Sequence, residues 1–287
     1  MYYRLFHFGV ISVYSYGMMV VIGLILGITL AYRRAQQFGE NPKNILDLSL
    51  CLMVSALIGA RIVYVLLHWQ YFKNHLIHIF LINQGGLVFY GASIAGIITA
   101  LFFLKIKQLN IGNYFDICAP SVALGQAFGR IGCFLNGCCF GKIISCPQMQ
   151  WIGVRFPAVI EKMPSGFPSE IIGSPAYLHH LNKGLIEHSA LHSLAVYPTQ
   201  LFSVFFNLFI FFSIVFLLKK RIFHGQIWLF YVFLYGISRF FIEFLRDDTP
   251  RYSAICFTFS QYISLGFIAC AIIIYIYLYN RYRRFVQ

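Results

Sequence analysis

Residues 199–218 read TQLFSVFFNLFIFFSIVFLL, twenty residues without a single charge. At about 1.5 Å of rise per residue, a helix of that length crosses the roughly 30 Å hydrocarbon core of a bilayer. Comparable apolar runs occur at 14–32, 45–67, 86–104, 114–135, 226–244 and 261–279, which makes seven. Of the 287 residues, 59% are hydrophobic and 11% charged, and the mean hydropathy is +0.73. A soluble domain carries roughly 25% charged residues, and a soluble alternative here needs several buried helices with no polar face. The expected fold is an all-α integral membrane protein with seven transmembrane helices. It forms a single polytopic domain, 1–287, with an irregular periplasmic (extracytoplasmic) arm at 142–198 inserted between spans four and five.

The first run lacks a basic lead-in and a small-residue cleavage site, so it is expected to remain as a permanent span. Basic residues set the orientation. Eleven of them (among them Arg33, Arg34, Lys105, Lys107, Lys219, Lys220, Arg283 and Arg284) fall in short segments after spans one, three and five and in the C-terminal tail. Eight are spread over the longer segments of the opposite side. The positive-inside rule then puts the N-terminus outside and the C-terminus in the cytoplasm. The net charge of +13 follows mainly from this asymmetry and favours anionic headgroups. No Lys/Arg-rich stretch sits on a soluble domain, so no nucleic-acid partner is expected; membrane lipids are.

Six prolines between 142 and 198 argue for an irregular arm, with a short strand expected at 150–157 (QWIGVRFP). A short outside helix is expected in the connector 77–87, ahead of the third span. His179, His180, His188 and His192 read as residues of a solvated polar loop.

Function is sought where polar groups interrupt the apolar runs, because ionisable residues there are costly and need a partner. The fourth run continues into GQAFGRIGCFLNGCCFG (125–141), which carries Arg130 and Asn136 among glycines. Arg61 lies on the second run, and Arg239 and Glu243 lie on the sixth. The last two are spaced i, i+4 and share a helix face, so an internal ion pair competes with a functional role. One carboxylate leaves part of a five-donor guanidinium fork unused. Arg130 and Arg239 both fall towards the outer ends of their helices, where two guanidinium groups suit a lipid phosphate.

Tyr90, in the glycine-rich start of the third run (GGLVFYGASIAG, 85–96), and Tyr16, beside Gly17, are interfacial aromatics or site residues. Glycines at this spacing permit tight helix contact. The cysteines read C-x4-C-C-x6-C, a poor match to zinc-site spacing, so no metal and no cofactor are expected. Cys133, Cys138, Cys139 and Cys146 fit small packing residues at a crowded helix end, and an outside location also allows a disulfide such as Cys139–Cys146.

Together these segments resemble the prolipoprotein diacylglyceryl transferase family, whose signature has the form G-R-x-G-N-F-x-N-x-E-x-x-G. Gly129, Arg130, Gly132, Phe134, Asn136 and Gly141 fall on it. GARIVYV (59–65), GGLVFYGASIAG, YPTQL (197–201) and YGISRFFIEFLR (235–246) also resemble family segments, in the family's order. Cys133 stands in place of the signature's Asn, Cys138 in place of its Glu, and Tyr90 where many members have histidine.

The resemblance implies transfer of an sn-1,2-diacylglyceryl group from phosphatidylglycerol to the lipobox cysteine of a prolipoprotein signal peptide, with glycerol phosphate leaving. It implies catalytic roles for Arg130, Arg239 and Tyr90, with Arg130, Asn136, Gly141, Tyr16, Tyr235 and Glu243 binding substrate. Tyr90 acts there as a tuned base or as a hydrogen-bonding positioner. The rival from another class is a membrane thiol–disulfide oxidoreductase using Cys133, Cys138, Cys139 and Cys146. A transporter built on the arginines needs related halves, and no internal repeat is seen.

Overall fold

The computed structural model describes residues 4–8, 11–81, 86–160, 171–248 and 257–286. Strands β1 (Arg4–Phe8) and β2 (Ile11–Tyr14) form an antiparallel hairpin. Helices α1 (Ser15–Gln37), α2 (Pro42–Leu67), the single turn α3 (Trp69–Phe72), α4 (Phe89–Ile106) and α5 (Ile111–Asn136) follow. Then come the hairpin β3 (Ala158–Ile160) and β4 (Ile171–Gly173), α6 (Pro175–Asn182), α7 (Thr199–Leu218), α8 (Gln226–Glu243) and α9 (Phe259–Val286). Each apolar run of the sequence falls largely on one of the long helices. Five of them, α1, α2, α4, α7 and α9, are long and apolar enough to cross a membrane. The other two, α5 and α8, have 26 and 18 residues but carry Arg130, and Arg239 with Glu243.

Helix α7 shows which solvent the fold is built for. Its Phe205, Phe209, Phe212 and Phe216 are more than half exposed, while Ser203 and Asn207 are buried. The buried polar groups bond within the helix: Ser203 Oγ donates to Thr199 O at 2.7 Å and Asn207 Nδ2 to Ser203 O at 2.8 Å. A phenylalanine stripe facing outward at helical spacing is stable in lipid and a liability in water.

Two compact units are present, Ile28–Ile117, and Met1–Gly27 with Cys118–Gln287. In the first, α2 packs on α4 backbone to backbone. A Cβ built on Gly91 would lie 2.3 Å from Gly59 O, and one on Gly59 would lie 2.6 Å from Gly91 O. Only glycine allows that approach. Arg61 of α2 is buried and spends its guanidinium on backbone carbonyls. Its Nε donates to Ile79 O at 2.9 Å, Nη2 to His78 O at 2.6 Å and Leu81 O at 3.1 Å, and Nη1 to Gly86 O at 3.2 Å. Tyr64 and Phe72 rings flank it, each centroid 5.5 Å away.

Arg61 is thus a structural pin for the connector ahead of α4, whose residues Leu76–Phe80 form a 3-10 helix rather than an α-helix. Asn83, Gln84 and Gly85 lie outside the described residues. Arg61→Ala should orphan these carbonyls and destabilise the protein by roughly 3 kcal/mol or more. A lowered melting temperature, with faster proteolysis between residues 76 and 88, is the expected readout. Arg61→Lys should recover little, because one ammonium cannot match the planar fork.

In the second unit, the described residues of 142–198 include short regular elements. Pro147 and Pro175 occupy the first turns of a 3-10 helix (Pro147–Ile152) and of α6, where a missing N–H leaves nothing unsatisfied. Residues 150–152 therefore belong to that 3-10 helix instead of the expected strand; extended pairing begins at Val154, bridged to Val196. Phe140, Phe156, Ala176 and Val196 form a buried cluster, with Phe134, Ile143 and Val154 packed on it. Lys162, Pro164 and Pro168 lie outside the described residues.

Two histidines expected in a solvated loop are structural. His179 Nε2 lies 3.3 Å from Asp247 Oδ2. His180 is fully buried, its Nδ1 accepts from Leu194 N at 3.3 Å, and burial lowers its pKa.

Candidate active site

The site grows from the C-terminal end of α5. Asn136 closes the helix, Gly137 turns the chain at φ +72°, and Cys138 N returns to Cys133 O at 3.1 Å. Cys139 follows at φ +58°, one of two described non-glycine residues in the left-handed region. That conformation is costly for a side-chain-bearing residue and persists where surroundings enforce it. Here the enforcing groups come from the start of α7. Thr199 Oγ1 donates to Cys139 O and Gln200 Nε2 to Cys138 O, both at 2.7 Å, and both side chains are buried.

The next residues are clamped by backbone. Gly141 N donates to Tyr197 O at 3.0 Å and Lys142 N to Leu245 O at 2.7 Å, while Gly141 bridges Arg246. A Cβ on Gly141 would lie 2.6 Å from Tyr197 O and 2.9 Å from Leu245 O. Gly141, expected to bind substrate, is thus held between the backbones of Tyr197 and Leu245. Its small size lets the chain after α8 lie against the cysteine loop.

That approach brings in Arg246, the last residue of the segment YGISRFFIEFLR and not among the expected site residues. The sign available was its i, i+3 spacing from Glu243. Glu243 is 1% exposed, and its Oε2 lies 2.9 Å from Arg239 Nη1 and 3.8 Å from Arg246 Nε. Its Oε1 accepts from Thr258 Oγ1 at 2.9 Å. Glu243, expected to bind substrate, thus sits between Arg239 and Arg246 and holds both. Arg246 also grips Asp248 through two bonds, Nε to Oδ1 at 2.8 Å and Nη2 to Oδ2 at 2.7 Å. Arg239 adds one bond, Nη2 to Ser260 Oγ at 3.1 Å.

Arg130 differs from both. It is partly buried, and among the described residues its guanidinium takes part in no hydrogen bond or ion pair. It lies within electrostatic reach of Tyr235, Cys139, Cys133 and Arg246, and it acts in turn on Arg239. Three guanidinium groups thus meet two carboxylates, Glu243 and Asp248, leaving one positive charge uncompensated. A partly buried surplus of this kind favours an anion.

Tyr16 of α1 completes the wall: Gly132 lets it close on α5, since a Cβ there would lie 3.1 Å from Tyr16 Cδ2. Tyr16 feels Cys133, Cys138, Cys139 and Arg130. Tyr235 stacks on Tyr231 with centroids 5.9 Å apart.

Arg130, Arg239, Tyr16, Tyr235, Asn136 and Glu243 all fall in the same unit. Tyr90 stands at the first turn of α4 in the other unit, 42% exposed.

Three of the four cysteines converge. The sulfurs of Cys133, Cys138 and Cys139 lie within 4.8 Å of one another. Hydrogen bonds from Cys133 and Cys138, with Arg246 and Arg130 beyond them, hold the Cys139 thiol below the ordinary thiol range. Cys146 is exposed and is a free thiol, as is Cys139, so the disulfide that the sequence allowed is not formed.

The family model described as prolipoprotein diacylglyceryl transferase matches residues 4–277. A phosphatidylglycerol–prolipoprotein diacylglyceryl transferase of Clostridium tetani is 31% identical over 278 residues, covering 96% of this chain and 96% of that protein. Transferase 2 of Clostridium perfringens, of the same name, is 32% identical over 266 residues, covering 92% and 91%. The Oceanobacillus iheyensis protein of that name is 33% identical over 270 residues, covering 94% and 85%.

Proposed function

The chain belongs to the prolipoprotein diacylglyceryl transferase family, and we propose that Arg130 and Arg239 hold the phosphate of its lipid donor. Its activity is transfer of an sn-1,2-diacylglyceryl group from phosphatidylglycerol to the lipobox cysteine of a prolipoprotein, forming a thioether. It is a multi-pass protein of the bacterial inner membrane. The oxidoreductase alternative has no counterpart among these relatives. For topology we propose seven spans, with α5 and α8 crossing beside the five more apolar helices. Their few charged residues would face the protein interior, as intramembrane charges do. Residues 142–198 would then lie outside, with the N-terminus outside and the C-terminus in the cytoplasm.

The observation that carries the donor site is Arg130: a guanidinium uncommitted among the described residues, beside two others that Glu243 holds in place. Displacement at the glycerol carbon next to phosphate builds negative charge on the leaving phosphate, and preorganised guanidinium groups stabilise it. Tyr235, within electrostatic reach of both arginines, and Tyr16 line the same place, with Asn136 beside Cys138.

Purified protein given labelled phosphatidylglycerol and a lipobox peptide should yield the peptide thioether and glycerol phosphate; hydrolysed lipid without thioether would count against this assignment. Tyr90→Phe separates the two roles left open for that residue. We expect transfer to persist within about tenfold, as for a hydrogen-bonding positioner. Complete loss, with rescue at higher pH, would instead make the phenol the base.

A further inference from the structure

We propose that Cys133, Cys138 and Cys139 form a three-thiolate site for zinc, whose fourth tetrahedral position receives the lipobox cysteine thiol. This rests on the transferase function above and addresses what that function leaves unexplained, namely how an ordinary thiol of pKa about 8.5 becomes a nucleophile.

The geometry is close to what zinc requires. Three sulfurs on one zinc, with bonds of about 2.3 Å at tetrahedral angles, stand roughly 3.8 Å apart. The present sulfurs lie within 4.8 Å of one another, so small side-chain rotations close the site. Their backbone is fixed before any ion arrives. Cys133 is anchored in α5, the carbonyls of Cys138 and Cys139 are held by Gln200 and Thr199, and Cys139 is kept at φ +58°.

The linear spacing hides this arrangement. The helix end and the left-handed turn at Gly137 fold residue 133 onto residues 138 and 139. An all-sulfur donor set selects thiophilic ions over magnesium or calcium. Zinc with three thiolates carries one net negative charge, and Arg246 and Arg130 lie within electrostatic reach of the Cys139 sulfur. Three protein ligands with one open position is the pattern of catalytic zinc, whereas four closed ligands mark structural zinc.

The chemistry balances without an oxidant or reductant. Binding of the lipobox thiol at the open position releases its proton to water. The sulfur's electron pair forms the S–C bond to the glycerol carbon, and the C–O bond to phosphate breaks. Glycerol phosphate leaves with that pair towards Arg130 and Arg239. The thioether, a far weaker ligand than a thiolate, then departs. Cysteines replacing the family's Asn and Glu at 133 and 138 thereby become the means of thiol activation.

The test uses the full-length protein purified in detergent and loaded with zinc, read by zinc X-ray absorption and by the thiolate charge-transfer spectrum of the cobalt-substituted form. We expect about one zinc per chain with three sulfur neighbours at about 2.3 Å. A lipobox peptide added without lipid should raise the sulfur number to four, and its Ser-for-Cys analogue should not. Cys133→Ser should weaken metal binding and transfer at least tenfold, while Cys146→Ser leaves both unchanged. The wild-type spectra decide even if Cys133→Ser fails to fold.

A zinc shell of oxygen and nitrogen alone would overturn the inference. So would undiminished transfer by chelator-stripped protein, or a disulfide within the trio in active enzyme. Each of these outcomes leaves the transferase assignment intact. Failure to form thioether in any metal state overturns that assignment instead.

Discussion

Arg130→Ala is expected to slow thioether formation by at least about a hundredfold while the protein still folds and inserts. The magnitude follows from removing a preorganised group aimed at developing negative charge, which costs on the order of 10²–10³ in rate. Folding should survive because, among the described residues, Arg130 takes part in no ion pair or hydrogen bond whose partner would be orphaned. Arg61→Ala makes the opposite control, since it strips several backbone carbonyls of their donor. Arg130→Lys should recover only part of the rate, keeping the charge without the bidentate fork. Arg239→Ala should fall as far as Arg130→Ala. Labelled phosphatidylglycerol and a lipobox peptide give the rate, and near-normal transfer by both alanine variants would refute the phosphate clamp.

The helices were legible because span length and apolarity are set by the bilayer, a constraint each segment of the sequence meets by itself. Arg130 was legible for the same reason, as a charge in the wrong solvent. What stayed hidden depends on contacts between distant segments. Arg246 resembles any loop cation until Gly141 lets its backbone bridge the cysteine loop. Gln200 and Thr199 resemble the polar lead-in of an apolar helix, yet they fix the carbonyls that aim two thiols. Three of the prolines of 142–198 have a local meaning that their number alone did not convey. Pro147 and Pro175 begin helices, and Pro198 directly precedes α7, so they mark boundaries of ordered elements. Glu243 makes the i, i+4 pair that its spacing allowed, and its second arginine makes it a hub.

Glu243→Gln should cost more than any other single change at this site, because it leaves the volume intact and removes the charge that two guanidinium groups share. Breaking a buried pair by removing one partner costs about 3–5 kcal/mol. Here Arg239 and Arg246 would also repel each other without the carboxylate between them. We expect a large fall in melting temperature together with loss of transfer, which on its own does not distinguish a collapsed site from a missing catalytic group. The double variant Arg239→Met, Glu243→Leu makes the distinction. Replacing a buried ion pair by apolar side chains of similar volume is often neutral or stabilising, and residues in contact do not add independently. Arg246 retains its two bonds to Asp248, so the double variant should recover most of the stability lost in Glu243→Gln. Transfer should stay as low as in Arg239→Ala, because the donor's phosphate has still lost one of its guanidinium groups. A double variant that regained both stability and transfer would show that Arg239 serves only to neutralise Glu243, and the phosphate would then rest on Arg130 alone.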